Sequence, residues 1–357
     1  MIFIGYIDKN NDTGPGNVLK MIMNQFEKNN DKYKFINICT KTKKDKLFLY
    51  TRLIRLLFIK NEIINIHSFG YKIPALVSKI ARINKKSRFF LTLHGILSEE
   101  AAFEGRNGGF EHYFKNKEKY DSLEEDIIKN FPNIICVSEK EKNILNNKYN
   151  RFENIEVIYN GVNNYDNMKR NHEFINNQIK CIAGGGIYNR KGIFEMLSAV
   201  NYYNSQNEEK IYLNIYGDYE SDEILEEYNE FISKYNLNEY VKYKFKVKSE
   251  EFIDKLSQAN FCLAFSKFDT FNLTVLESMS LGVPAVVSRQ CGAAEILEED
   301  KDVIFLDFDE KYEESFMKKI KFIYNDKKYY NLCCYARNKA KMYDWSNVYE
   351  RYKKIFT

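Results

Sequence analysis

The chain has 357 residues, 44% apolar and 29% charged, with a formal net charge of +4. At about 150 residues per domain this predicts two domains, each with enough apolar residues for a real core. No apolar run reaches the ~18 residues of a membrane-crossing helix, and Met1 leads straight into the strand-like IFIGYI, so neither a membrane span nor a signal peptide is expected. The expected location is therefore cytoplasmic, with a peripheral place on the inner face of the cell membrane open. None of the seven cysteines forms a C-x-x-C pair, as befits a reduced compartment without a disulfide framework. His67, His94, His112 and His172 lack ligand spacing, and no structural zinc is expected.

In chain order, a first strand at Met1 to Ile7 runs into a polar turn, 8–17, that carries Gly14 and Gly16, and a helix is expected from about Val18 to Lys28. G-P-G-N lacks the third glycine of a dinucleotide fingerprint and by itself reads as a turn. From Lys41 to Lys60, the cations Lys41, Lys43, Lys44, Lys46, Arg52, Arg55 and Lys60 stand against Asp45 alone, and apolar residues interleave with Arg52 and Arg55 at helical spacing. An ordinary surface helix accounts for this. So does a basic amphipathic face for anionic lipid. Nucleic acid is not favoured, because no binding motif accompanies the run. Strands follow at Glu62–His67 and Arg88–Leu93, with a helix near Tyr71–Asn84 between them. The second strand ends in L-T-L-H-G, which brings His94 to a carboxyl edge. Leu97–Asp121 reads as a long polar stretch over a binding cleft. A strand at Asn133–Val137, a helix opened by Ser138-Glu139, and a strand and turn at Ile155–Val162 complete the first half.

The Asn-rich stretch 164–178 reads as a linker. Beyond it, Ile179–Ala183 is a strand that enters G-G-G-I-Y-N-R-K-G, with Gly185, Gly186, Arg190 and Lys191, and a helix follows from Gly192. Strands at Lys210–Tyr216 and Val241–Val247 alternate with helices at Asp222–Tyr235 and Glu250–Gln258. The apolar run from Phe261 is a buried parallel strand. It ends in a polar turn with Asp269, and a helix over Leu273–Leu281 carries Glu277; Gly282 and Pro284 stop that helix before the strand PAVV. A turn at the carboxyl edge of a parallel sheet is where such folds bind ligands, and free amides near Leu273 and Thr274 suit a phosphate. Glu277 alone would read as a solvated acid. Two carboxylates eight residues apart also admit a hydrolase pair, ranked lower because of the flanking K-G and G-V-P elements.

The string Asp269-T-F-N-L-T-V-L-Glu277, with G-V-P in register, resembles the E-x7-E signature of family-4 nucleotide-sugar glycosyltransferases, with Asp in place of the first Glu. The resemblance extends over nearly the whole chain and is strongest from Ile179 to Glu295. It implies an α/β fold of GT-B type: two Rossmann-like domains facing across a cleft, with a C-terminal helix crossing back. The domains would be an acceptor-binding domain over 1–163, a linker over 164–178, a donor-binding domain over 179–340 and the returning helix over 341–357. The implied activity is retaining transfer of a sugar from a nucleotide diphosphate, UDP first, to a hydroxyl acceptor in bacterial polysaccharide or glycoconjugate synthesis. No cofactor or metal is implied.

By the same resemblance, Gly14 and Gly16 let the backbone approach the donor phosphates. Lys191, Gly185 and Gly186 lie where the family reads G-R-L-x-x-x-K-G, but the Arg position is glycine here, and the neighbouring Arg190 is the candidate replacement. Asp269 would bind sugar hydroxyls and Glu277 the ribose. Asn272, Leu273 and Thr274 would meet the diphosphate, Val247 the base, and His94 the sugar or acceptor. The implied partners are a nucleotide-sugar donor, a glycan, lipid-linked or protein acceptor, an anionic membrane surface through 41–60, and no nucleic acid. The missing Arg also admits a non-catalytic subunit that binds a partner transferase; a nucleotide-sugar epimerase is the third reading.

Overall fold

The computed structural model describes residues 1–8, 13–67, 70–105, 108–168, 174, 177–323 and 326–357. Parts of the expected turn 8–17 and linker 164–178, and His172, lie outside the described residues. The chain forms two compact units. The first comprises Met1–Ser98, Asn116–Gly161 and Trp345–Thr357; the second comprises Glu99–Lys115 and Val162–Asp344.

In the first unit, strands β1 (Ile2–Gly5), β2 (Lys34–Asn37), β3 (Ile63–His67), β4 (Arg88–Thr92), β5 (Asn133–Cys136) and β6 (Ile155–Val157) form a parallel sheet in the order β2-β1-β3-β4-β5-β6. Its central strands are buried along most of their length, with the polar Asn65, His67 and Thr92 buried too, because helices cover both faces; Arg88 at the start of β4 is exposed. The helix Gly14–Lys28 begins four residues before the expected Val18. Thr13 caps it, its Oγ1 accepting the Gly16 amide at 3.2 Å, and Pro15 has a φ already suited to a first turn. Gly14 and Gly16 are therefore helical residues rather than loop residues.

The last helix, Trp345–Phe356, completes this unit. Trp345 lies against Gly161, where a Cβ would meet the indole, and Tyr349 packs edge-on against Phe26 with ring centroids 5.0 Å apart. Arg88 caps the helix C-terminus, its guanidinium donating to Ile355 O at 2.7 Å and to Phe356 O at 3.0 Å.

The stretch 97–121 is not an open loop. It holds short helices at Leu97–Ala101 and Glu111–Lys115 and the start of the helix Lys117–Asn130. Phe110 and Tyr113 anchor it by burial, a signal that its polar composition hides. Glu99–Lys115 groups with the second unit.

In the second unit, β7 (Gln178–Gly184), β8 (Lys210–Tyr216), β9 (Val241–Lys244), β10 (Phe261–Ala264), β11 (Ala285–Ser288) and β12 (Ile304–Leu306) run parallel in the order β12-β11-β10-β7-β8-β9. Counted within the unit this is the 3-2-1-4-5-6 order of dinucleotide-binding domains. The order reverses between β7 and β10, so the turns after these two strands flank the switch point where such sheets bind ligands. β9 is an edge strand and ends at Lys244, three residues short of the expected Val247, because Phe245 and Lys246 run exposed past the sheet.

Candidate active site

The two switch-point turns lie in the second unit and are built differently. After β7 the chain makes a glycine turn at Gly185 (φ +97°) and Gly186 (φ +80°), conformations that side chains with a Cβ rarely adopt. The turn zips onto the one after β8: Gly186 N donates to Tyr216 O at 2.8 Å, Ile187 N to Asp218 O at 2.9 Å and Glu220 N to Ile187 O at 2.9 Å. Gly192 (φ +67°) then starts the helix Ile193–Gln206, and a Cβ there would run into Phe265 O. The stem of Lys191 lies over Gly185, where a Cβ would come within 3.2–3.7 Å of its methylenes.

After β10, the turn places Asp269 in an isolated parallel bridge with Cys291. Its Oδ1 accepts the Phe271 amide at 3.1 Å, and its Oδ2 pairs with Lys191 Nζ. Burial alone would raise the Asp269 carboxyl; Lys191, and Arg190 after it, outweigh burial and hold it below the usual carboxylate range. Asn272 adopts the left-handed conformation (φ +71°) and starts the helix Leu273–Ser280 without a side-chain cap. Among the described residues, no hydrogen bond is donated by the Leu273 or Thr274 amide. These are orphan donors at a helix start, the usual geometry for an anion. Thr274 packs against Gly184, at 2.8 Å from where a Cβ would stand, which joins the helix start to the end of β7. A small pocket opens between the turns, lined by Gly184, Gly186, Lys191, Phe265, Ser266 and Asn272 among others.

Glu277 sits one turn further along this helix. Its carboxylate makes no hydrogen bond or ion pair with any described residue; the residue is half-buried, and burial pushes the carboxyl up to about 7. Its charge also helps burial to raise the phenol of Tyr165. Tyr165 carries no sequence mark beyond its place after the Ile155–Val162 turn. The helix end is held by Arg337, whose Nη2 donates to Leu281 O at 2.8 Å.

Arg190 faces away from a free role. Its Nε lies 2.7 Å from Glu104 Oε1, and its guanidinium stacks 5.5 Å from the Tyr188 ring centroid. Burial, aided by Glu220, pushes the Glu104 carboxyl up to about 9, against the pull of Arg190. The sequence reading missed Glu104 and Glu220; nothing in the polar run around Glu104 marks it. Val247 is half-buried beside Lys246, whose Nζ lies 3.4 Å from Asp218. Gly185, Gly186, Arg190, Lys191, Asp269, Asn272, Leu273, Thr274, Glu277 and Val247 thus belong to one unit. Among the described residues no group of three His, Cys, Asp or Glu side chains is placed to hold a metal ion.

Gly14, Gly16 and His94 belong to the first unit. Gly14 opens the helix that follows β1, with no atom of the described residues, apart from the neighbouring helix backbone, within 4 Å of where a Cβ would stand. His94 follows β4 and stacks on His67 (ring centroids 5.1 Å apart, 26°), with His67 Nδ1 2.9 Å from His94 Nε2. Burial drives the His94 imidazole down to about 3, so both rings are neutral.

Two parallel six-stranded Rossmann-like sheets, the second with a switch point flanked by two turns, are the architecture of the GT-B class. The family model described as Glycosyl transferases group 1 matches residues 164–341, and that of Glycosyltransferase Family 4 matches 26–164. The chain belongs to this glycosyltransferase family and is a glycosyltransferase. Among solved structures, it is similar to HepE of Anabaena in complex with UDP-glucose, at 14% identity over 99% of each chain with a TM-score of 0.74. Sucrose-phosphate synthase of Thermosynechococcus elongatus is 15% identical over 99% of this chain and 98% of its own, with a TM-score of 0.77. WaaG, a glycosyltransferase involved in lipopolysaccharide biosynthesis, is 12% identical over 100% of both chains, with a TM-score of 0.69. No curated protein matches the chain in sequence.

Proposed function

We propose that the protein transfers a sugar from a nucleotide diphosphate, UDP first, to a hydroxyl acceptor with retention of anomeric configuration. The observation that carries this reading is the conjunction at one switch point of the Lys191–Asp269 pair, two orphan helix amides and the partnerless carboxyl of Glu277. As the sugar C1–O bond to the diphosphate breaks and the acceptor oxygen bonds C1, giving its proton to the departing phosphate oxygen, negative charge gathers on the departing diphosphate. Lys191 and the amides of Leu273 and Thr274 meet that charge as preorganised partners, without a metal in this reading. Asp269 holds sugar hydroxyls in its orientation toward Lys191, and Glu277 takes the ribose hydroxyls. UDP is the first choice because HepE was solved with UDP-glucose. His94, held neutral by burial against His67, offers an uncharged hydrogen-bonding group to sugar or acceptor hydroxyls.

The acceptor side includes a surface suited to anionic lipid. The helix Lys43–Arg55 buries Leu49 and Leu53, and Leu56 just beyond it, yet Leu47 and Ile54 on its outward side are 69% and 49% exposed, and Phe58, in the 3-10 turn that follows, is 77% exposed. Lys43, Lys44 and Arg55 flank that second apolar stripe, the pattern of a helix lying in a bilayer interface. A lipid-linked acceptor in polysaccharide or glycoconjugate assembly would be met there. Among the described residues no helix is long and apolar enough to cross a membrane.

The test is a panel of UDP-, GDP- and ADP-sugars assayed for binding and slow hydrolysis with and without a chelator, and the anomer of the transferred sugar read by NMR. Turnover of one UDP-sugar that survives chelation, with the anomer retained, is the expected result. An inverted product would refute retention, and loss of turnover on chelation would refute the metal-free reading.

A further inference from the structure

We infer that Glu104 is a positioning residue for sugar transfer: it grips Arg190 and, through it, fixes the turn that presents Lys191 and Asp269. This rests on the transferase reading of the Lys191–Asp269 site.

The Glu104 side chain is wholly enclosed, at 0% exposure. One of its oxygens lies 2.7 Å from Arg190 Nε, and the other accepts the Arg190 backbone amide at 3.4 Å. The Arg190 carbonyl in turn accepts the amides of Lys267 at 2.8 Å and Phe268 at 3.3 Å, the two residues immediately before Asp269. Lys191, next in the chain after Arg190, closes the circuit by pairing with Asp269. Glu104 therefore stands at one end of a continuous path of polar contacts whose other end is the catalytic ion pair.

Neighbouring contacts hold the same loop from a second side. Phe103 stacks on Phe268, with centroids 5.9 Å apart and planes at 14°. Glu220 accepts the Gly105 amide and, at 3.4 Å, the amide of Asn189, the residue before Arg190. Gly109 N donates to Glu220 O at 3.1 Å. Packing alone would be served as well by apolar side chains of similar volume, since a buried acid–guanidinium pair brings little net stability. What the pair supplies is direction. It also occupies Arg190, so that Lys191 is the cation left to face the pocket and the diphosphate.

The experiment uses the full chain as wild type, E104A, E104Q, R190M and the E104A/R190M double variant. Amide hydrogen exchange reads the turn directly; donor hydrolysis gives kcat and KM, and titration gives the affinity for free UDP. In E104A, exchange at Lys267 and Phe268 is expected to rise about tenfold or more while the β8 amides stay protected. Its kcat should fall about 10–100-fold, the scale of a small misplacement of reacting groups, with UDP affinity within about threefold. E104Q keeps a single acceptor oxygen, for either the Arg190 amide or its guanidinium, and should recover only part of the loss. R190M should resemble E104A, and the double variant should be no worse than either, because the two act as one unit. Unchanged exchange at Lys267 and Phe268 in E104A overturns the inference, as do losses that multiply in the double variant, or β8 amides that exchange as readily as the turn. Wild-type chain that turns over no nucleotide sugar refutes the transferase reading instead, and the exchange arm still decides whether Glu104 fixes the turn.

Discussion

Lys191 and Asp269 pair across the gap between the turns that follow β7 and β10, two strands that are neighbours in the sheet although 78 residues separate the side chains in sequence. Gly185 lies under the lysine stem, and the Phe271 amide holds the aspartate, so each partner is oriented by its own turn. Removing the amine leaves a mostly buried carboxylate with Arg190 as the remaining cation acting on it among the described residues. K191M should lower stability by about 1–3 kcal/mol, the cost of an unsatisfied charged hydrogen bond, and donor turnover by about two orders of magnitude as an electrostatic partner of the leaving group is lost. Urea denaturation and hydrolysis kinetics check the two parts, and K191M/D269N should recover stability but not turnover.

Glu277 gives a pH signature. Its folded-state carboxyl titrates at about 7 because burial disfavours the charge. A raised acid contributes stability that is fully present below its unfolded value, near 4.5, and is lost as pH rises through 7. E277Q should therefore match or exceed the wild type in Tm at pH 8 and gain nothing at pH 4.5. Donor affinity should move the opposite way. If the ionised form takes the ribose hydroxyls, UDP-sugar binding strengthens from pH 6 to 8, and E277Q loses that pH dependence together with about 10–100-fold in affinity, from charge-assisted hydrogen bonds. Calorimetric titrations at several pH values measure it, and a pH-flat wild type would remove Glu277 from the ribose site.

Two glycines separate structural from functional need. Gly186 is left-handed and faces the Asp218 carbonyl, so G186A should destabilise by about 1–3 kcal/mol. Gly14 has open space around it and sits in a first helical turn, where alanine should be neutral or stabilise by up to about 1 kcal/mol. If the backbone at Gly14 must approach the donor phosphates, G14A raises KM for the donor with no loss of Tm, a combination that a purely structural glycine cannot give.

Vesicle flotation tests the basic helix. L47D/F58D should lose binding to anionic vesicles while keeping hydrolysis of a soluble donor, and K44E/R55E should weaken binding at low salt most. Arg52 is a poor choice for charge reversal, because its guanidinium donates to Phe35 O at 2.8 Å and so belongs to the fold. Equal binding by L47D/F58D and wild type would refute the lipid surface.

The βα alternation and the Asp269–Glu277 turn were legible in the sequence because both are local: apolar strand runs, glycines at helix stops and a motif within one turn and helix. The family matches bear out the resemblance, and the two parallel sheets bear out the fold. Glu104 was not legible, since its partner Arg190 lies 86 residues away and its own neighbours are polar. The early helix start at Gly14 was hidden by glycine and proline, residues that read as a turn until Thr13 is seen to cap them. The short helices within 97–121 escaped because Phe110 and Tyr113 are the few apolar anchors in a charged stretch.

The helix Trp345–Phe356 packs on Phe26 and is tied to Arg88, so the first unit is finished by residues that leave the ribosome after the whole of the second. During synthesis the second unit has all its strands while the first still lacks the cover over Phe26 and Phe90. The order of emergence and the order of completion are therefore reversed. A nascent chain stalled before Trp345 should present a folded later unit beside a protease-sensitive earlier one.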